Sequence, residues 1–185
     1  QICFTDPNQG KASADYIADN KVATNIGVIY DSSDAYSSGI YNAFKTEAAA
    51  KGLELVSEQS FTKDSKTDFS VQIQKAKDAG AELVFLPIYY QEASLILAQA
   101  NKAGFTPKWF GCDGMDGILD LEGFDANLAE DLMFLTPFTA NATDEATQKF
   151  VADYKEAFGD TPIQFAADAY DCVYVIKAAA EKENV

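Results

Sequence analysis

Tyr36, Ser37, Tyr89, Tyr90 and Asp113 are candidate ligand-binding residues, because each follows an apolar, β-forming run within a few positions. Tyr36 and Ser37 lie in Asp31-Ser32-Ser33-Asp34-Ala35-Tyr36-Ser37-Ser38-Gly39, which leaves one such run and enters helix-patterned sequence. Backbone N–H groups and hydroxyls at a helix N-terminus can grip a polar ligand. Tyr89 and Tyr90 follow a second run, and Asp113 follows a third. A tyrosine offers an apolar wall with a hydroxyl at its tip. An aromatic wall beside a fixed carboxylate suits a small ligand that carries an ammonium group and an apolar side chain. Each position alone has a local explanation, since Ser and Asp favour capped turns and a tyrosine after a strand also serves as core. The convergence of three exits on one crevice carries more than any single residue.

Such a crevice requires strands that all point the same way. Apolar runs at residues 26–30, 53–61, 83–88, 109–112 and 132–135 recur roughly every 25 to 30 residues, and helix-patterned sequence fills the gaps. This beat predicts right-handed βαβ crossovers and an α/β fold: a doubly wound, Rossmann-like parallel sheet with ligands beyond the carboxyl ends of its strands. Asp6-Pro7-Asn8-Gln9 reads as a capping aspartate, a proline at the first helical position and a glutamine three residues after the cap. Helices are expected from there to about Asn20, from Ser37 to Lys51 with Gly52 as the stop, and from a cap at Thr67 or Asp68 to Gly80. Another opens at Tyr89 and turns Leu95, Ile96, Leu97 and Ala98 to the sheet before Gly104. Residues 1–137 thus form an α/β lobe, and 138–185 a helical segment.

In that segment, a helix capped by Thr143 is expected up to Gly159, and a second from Pro162 to Glu183. The second contains Phe165, Ala169, Tyr170, Cys172, Val173, Tyr174, Val175 and Ile176, apolar on nearly every side. A helix of that kind is buried on several faces. It calls for packing partners beyond this sequence, or for self-association.

Composition narrows the function classes. The 185 residues are 48% hydrophobic, enough for one lobe with a sizeable core. Twenty-nine acidic residues against fourteen basic ones give a net charge of −15, which repels phosphate backbones and anionic headgroups, so no nucleic-acid partner is expected. No apolar stretch approaches the roughly 20 residues that span a bilayer, and no basic-then-apolar leader opens the chain. The absence of histidine removes the usual general base near neutral pH and the commonest transition-metal ligand. Cys3, Cys112 and Cys172 show no metal-ligand spacing and no disulfide framework. Neither a metal nor a cofactor is expected. An enzyme would be a small-molecule hydrolase using Cys112 or the Asp113 and Asp116 carboxylates, and no Walker, G-x-G-x-x-G or G-x-S-x-G motif supports one.

Cys3-Phe4-Thr5-Asp6-Pro7-Asn8-Gln9-Gly10, Ile29-Tyr30-Asp31 through Gly39, Gly104-Phe105 through Asp113-Gly114, and Phe165-Ala166-Ala167-Asp168-Ala169-Tyr170-Asp171 together resemble the type I solute-binding proteins of ABC transporters, in particular the branched-chain amino-acid receptors. The resemblance runs the whole chain. It implies the second lobe of a two-lobed clamp that closes on an amino acid and presents it to a membrane permease, with the terminal helix returning to a first lobe absent from this sequence. It implies a periplasmic or extracellular location, with any leader or lipid anchor supplied by preceding sequence. By the same resemblance, Tyr36 lines the pocket, Tyr89 or Tyr90 contacts the ligand, and Asp113 takes the α-ammonium. The ligand carboxylate falls to the first lobe. Asp113 stands where a glutamate is common, which points to a ligand of different depth or size, and the hydroxyls of Ser32 to Ser38 point to a more polar one. The same fold also serves ligand-sensing domains of repressors and signalling receptors.

Overall fold

The computed structural model describes residues 2–183. Residues 5–135 form one compact unit, and residues 2–4 group with 136–183 in a second. In the first, helices and strands alternate: α1 (Asp6–Asp19), β1 (Asn25–Asp31), α2 (Ala35–Lys51), β2 (Glu54–Phe61), α3 (Ser70–Asp78), β3 (Leu83–Leu86), α4 (Tyr90–Lys102), β4 (Lys108–Gly111) and β5 (Leu132–Phe134). Three short 3-10 turns separate β4 from β5. All strand pairs are parallel, in the order β2-β1-β3-β4-β5. This is the doubly wound sheet that the beat of apolar runs predicts.

β3 shows why the sheet needs two helical layers. All four of its residues are buried, and alternate side chains enter opposite cores, as the two-residue period of a strand requires. Val84 and Leu86 join Ile73, Ile96 and Leu97 of α3 and α4, whereas Leu83 and Phe85 join Ile17, Ile40 and Phe44 of α1 and α2. Phe85 stacks on Phe44 with ring centroids 4.1 Å apart. α1 and α2 touch backbone to backbone at Gly10, where a Cβ would stand 2.3 Å from the Ile40 carbonyl oxygen.

Several helix starts differ from the sequence expectation for local reasons. Thr5, not Asp6, is the N-cap of α1, so Pro7 falls at the second helical position. α2 begins two residues early because the Asp34 carboxylate accepts from the Ser37 N–H at 3.1 Å. α3 is preceded by Phe69, while Asp68 accepts from the Ser70 N–H. On α4, Ala93, Ser94, Ile96, Leu97 and Ala100 are buried and Leu95 is exposed.

The second unit contains α5 (Glu145–Phe158) and α6 (Gln164–Glu183). Asp144 rather than Thr143 caps α5, accepting from the Thr147 N–H at 2.9 Å. Phe150 of α5 meets Phe138, which precedes that helix, and Tyr170 of α6. Farther along α6 the apolar side chains stand in water: Val173 is 64% exposed and Ile176 68%. Among the described residues, no helix is long and apolar enough to cross a membrane.

Candidate functional site

In a sheet ordered 2-1-3-4-5, neighbouring crossovers run to opposite faces at β1 and β3, which opens a crevice beyond their carboxyl ends. The register sets Leu86 of β3 beside Gly111 of β4, so the exits of those strands leave the sheet level with one another. Tyr89 stands three residues past the first and Asp113 two past the second. Tyr36, in the first turn of α2, reaches them from the β1 exit.

The three side chains meet. The Tyr36 hydroxyl donates to Asp113 Oδ1 at 2.6 Å and accepts from the Gly114 N–H at 2.9 Å. The Tyr36 and Tyr89 rings stack with centroids 4.8 Å apart and planes 23° from parallel. Gly114 makes this closeness possible, because a Cβ there would lie 2.7 Å from the Ile88 carbonyl oxygen and 2.8 Å from the Tyr36 hydroxyl. Burial pushes the Tyr36 phenol well above its usual range, with the adjacent Asp113 carboxylate adding to the effect, so the hydroxyl remains a donor. Asp113 is 6% exposed. Among the described residues, its carboxylate hydrogen bond engages only Oδ1. The Tyr36 oxygen retains a second lone pair, since a hydroxyl carries two.

The local potential is negative. Burial raises the Tyr89 hydroxyl, and the carboxylates of Asp34, Asp113 and Asp6 raise it further. Asp6 is itself raised above 3.8, first by burial and then by Asp113 and Asp34. A cationic group entering here relieves that mutual repulsion. Beside it, Asp31, Ser33, Asp34, Phe61, Lys63 and Tyr89 help to line a cleft of about 300 Å3.

Ser37 and Tyr90 take other positions. Ser37 lines the cleft, yet it is buried and its hydroxyl accepts from the Asp31 N–H at 2.8 Å, tying the β1 exit to α2. Tyr90, one residue into α4, is half-buried and packs against the core beneath α3 and α4. Tyr89, the N-cap residue of α4, is 40% exposed. Gln9 is a site neighbour that its place in a capping pattern concealed: its Oε1 accepts from the Asp113 N–H at 3.1 Å. Cys112 is fully buried, and burial pushes its thiol far up, the opposite of what a nucleophile needs. Cys112 and Cys172 form no disulfide among the described residues.

Known proteins share this fold. Residues 2–184 match the family described as "Periplasmic binding protein". The Leu/Ile/Val-binding protein homolog 3 of Brucella melitensis is 31% identical over 185 residues, which cover 98% of this chain and 48% of that protein. A leucine binding protein from Thermotoga maritima superposes with a TM-score of 0.87 at 31% identity, over 98% of this chain and 51% of its own. A branched-chain amino acid transporter substrate binding protein from Streptococcus pneumoniae, solved in complex with isoleucine, gives 0.87 at 28% identity, over 96% and 50%. The chain spans about half the length of these relatives. It belongs to the periplasmic binding protein family.

Proposed function

We propose that this chain is the ligand-gripping second lobe, with its return helices, of the extracytoplasmic substrate-binding component of an ABC transporter, and that the complete protein holds an amino acid between two lobes for delivery to a membrane permease. The carrying observation is the Tyr36–Asp113–Tyr89 constellation at the sheet's switch point. An α-ammonium group enters between Asp113 Oδ2 and the remaining lone pair of the Tyr36 hydroxyl. The pinned Oδ1 keeps the carboxylate from turning, so little ordering is left for the binding step. The Tyr89 ring walls an apolar ligand side chain, and the first lobe supplies donors for the ligand carboxylate.

The names of the relatives, which are Leu/Ile/Val, leucine and branched-chain amino-acid binders, support a branched-chain or similar small amino acid. They support a binding protein over a hydrolase, as does the deeply buried Cys112. The exposed apolar side chains of α6 support a first lobe that covers them in the complete protein. A thermal-shift series on the two-lobed protein tests this function. A ligand at 100 times its Kd stabilises the native state by about 2.7 kcal/mol. Amino acids should raise the melting temperature, and their des-amino acids, which lack the ammonium, should not. Equal shifts by leucine and 4-methylpentanoate would contradict the role of Asp113.

A further inference from the structure

We propose that Gln9 is a positioning residue for the ammonium site: from the first turn of α1 it fixes the backbone of Asp113 so that the carboxylate stands against Tyr36, a role that rests on the amino-acid function proposed above. The buried face of α1 comprises Gln9, Gly10, Ser13, Ala14 and Ile17. Packing accounts for three of these, since Gly10 admits α2 and Ala14 and Ile17 enter the core. Packing does not account for the two polar residues, because burying an amide or a hydroxyl is unfavourable unless it is hydrogen-bonded. Gln9 and Ser13 lie one helical turn apart and both meet the β4 exit. Ser13 Oγ lies 3.9 Å from Cys112 Sγ, and Gln9 Oε1 accepts from the Asp113 N–H.

That N–H has no partner within its own turn. The 3-10 turn at 113–115 closes through Met115 N–H to the Cys112 carbonyl and Asp116 N–H to the Asp113 carbonyl, so the turn's opening donor is left over, as at any helix start. Gln9 is 1% exposed, and among the described residues its buried Nε2 has no hydrogen-bond partner. A leucine there would fill the space without burying an amide. What an apolar residue cannot do is hold the Asp113 N–H. With the backbone held by Gln9 and Oδ1 held by Tyr36, Asp113 is clamped at both ends before a ligand arrives.

A double-mutant cycle in the two-lobed protein tests the assignment, with L-leucine titrated calorimetrically into wild type, Gln9→Met, Asp113→Asn and the double variant. Gln9→Met should weaken leucine binding about tenfold in wild type and less than about twofold in the Asp113→Asn background, because residues that act through one another are not additive. Equal losses in both backgrounds, or none in either, would overturn the inference, since a glutamine that merely supports the fold weakens both alike. Amide hydrogen exchange on the unliganded wild type reads the contact without any variant: the Asp113 N–H should be protected comparably to the Met115 N–H, and fast exchange at Asp113 alone would overturn it. A wild type that binds no leucine would instead overturn the amino-acid function, and with it the positioning role.

Discussion

Tyr36 has one proton to give, and it gives it to Asp113. Tyr36→Phe removes that bond together with the acceptor for Gly114 N–H, while keeping the ring against Tyr89. A hydrogen bond to a charged group contributes about 1.5 to 3 kcal/mol. In the two-lobed protein the variant should therefore fold, melt at a lower temperature, and bind L-leucine about 10- to 150-fold more weakly by calorimetry. Gly114→Ala is expected to disturb the site and lower the melting temperature together, since its methyl group meets the Ile88 carbonyl oxygen as well as the Tyr36 hydroxyl and the Tyr89 ring. Asp6 provides a pH signature. Its carboxyl is raised by burial and by Asp113 and Asp34, so the folded state binds this proton more firmly than the unfolded chain does. Stability then falls as pH rises from about 3.8 through the raised value, and the deficit persists at neutral pH. Asp6→Asn should stabilise the protein at pH 7 and leave it unchanged below pH 3.8, as read by urea midpoints at the two ends.

At the scale of elements, the layering depends on how closely α1 approaches α2. Gly10→Ala drives a methyl group toward the Ile40 carbonyl and the Phe44 N–H, both backbone atoms that cannot swing aside. Overpacking of this kind costs about 1 to 3 kcal/mol, and a lowered urea midpoint with an unchanged m-value would register it. The strands were legible in sequence because buried parallel strands such as Leu83–Leu86 are uninterrupted apolar runs. Their exits were legible for the same reason, and Tyr36, Tyr89 and Asp113 do meet. Helix starts were less legible, because Asp and Thr occur in pairs such as Thr143-Asp144 and only the side chain that reaches an N–H decides the cap. Tyr89 and Tyr90 differ by one residue, yet the helix begins between them and sends one ring to the crevice and the other to the core. Gln9 was hidden because its partner is 104 residues away in the chain, at a distance no local pattern encodes.

For the molecule as a whole, the sheet unit and the helical segment have different surfaces. The sheet unit buries two cores, whereas α6 leaves Val173, Tyr174, Val175 and Ile176 exposed. Alone in solution, residues 1–185 should self-associate through α6, and sedimentation velocity at rising concentration should show the sedimentation coefficient increase, an increase that Val173→Glu with Ile176→Glu abolishes. The two-lobed protein should remain monomeric. The same division predicts that this chain binds amino acids weakly or not at all by itself, because one lobe can neither exclude water from the crevice nor hold the ligand carboxylate. Isothermal calorimetry of L-leucine with the two-lobed protein and its Asp113→Ala variant tests directly whether Asp113 holds the ligand's ammonium group. Truncating one partner of a buried charge pair costs about 2 to 5 kcal/mol, so the variant should lose about thirtyfold or more in affinity while keeping its fold; wild-type affinity in Asp113→Ala, or tight binding by residues 1–185 alone, would contradict an ammonium site at Asp113 that two lobes complete.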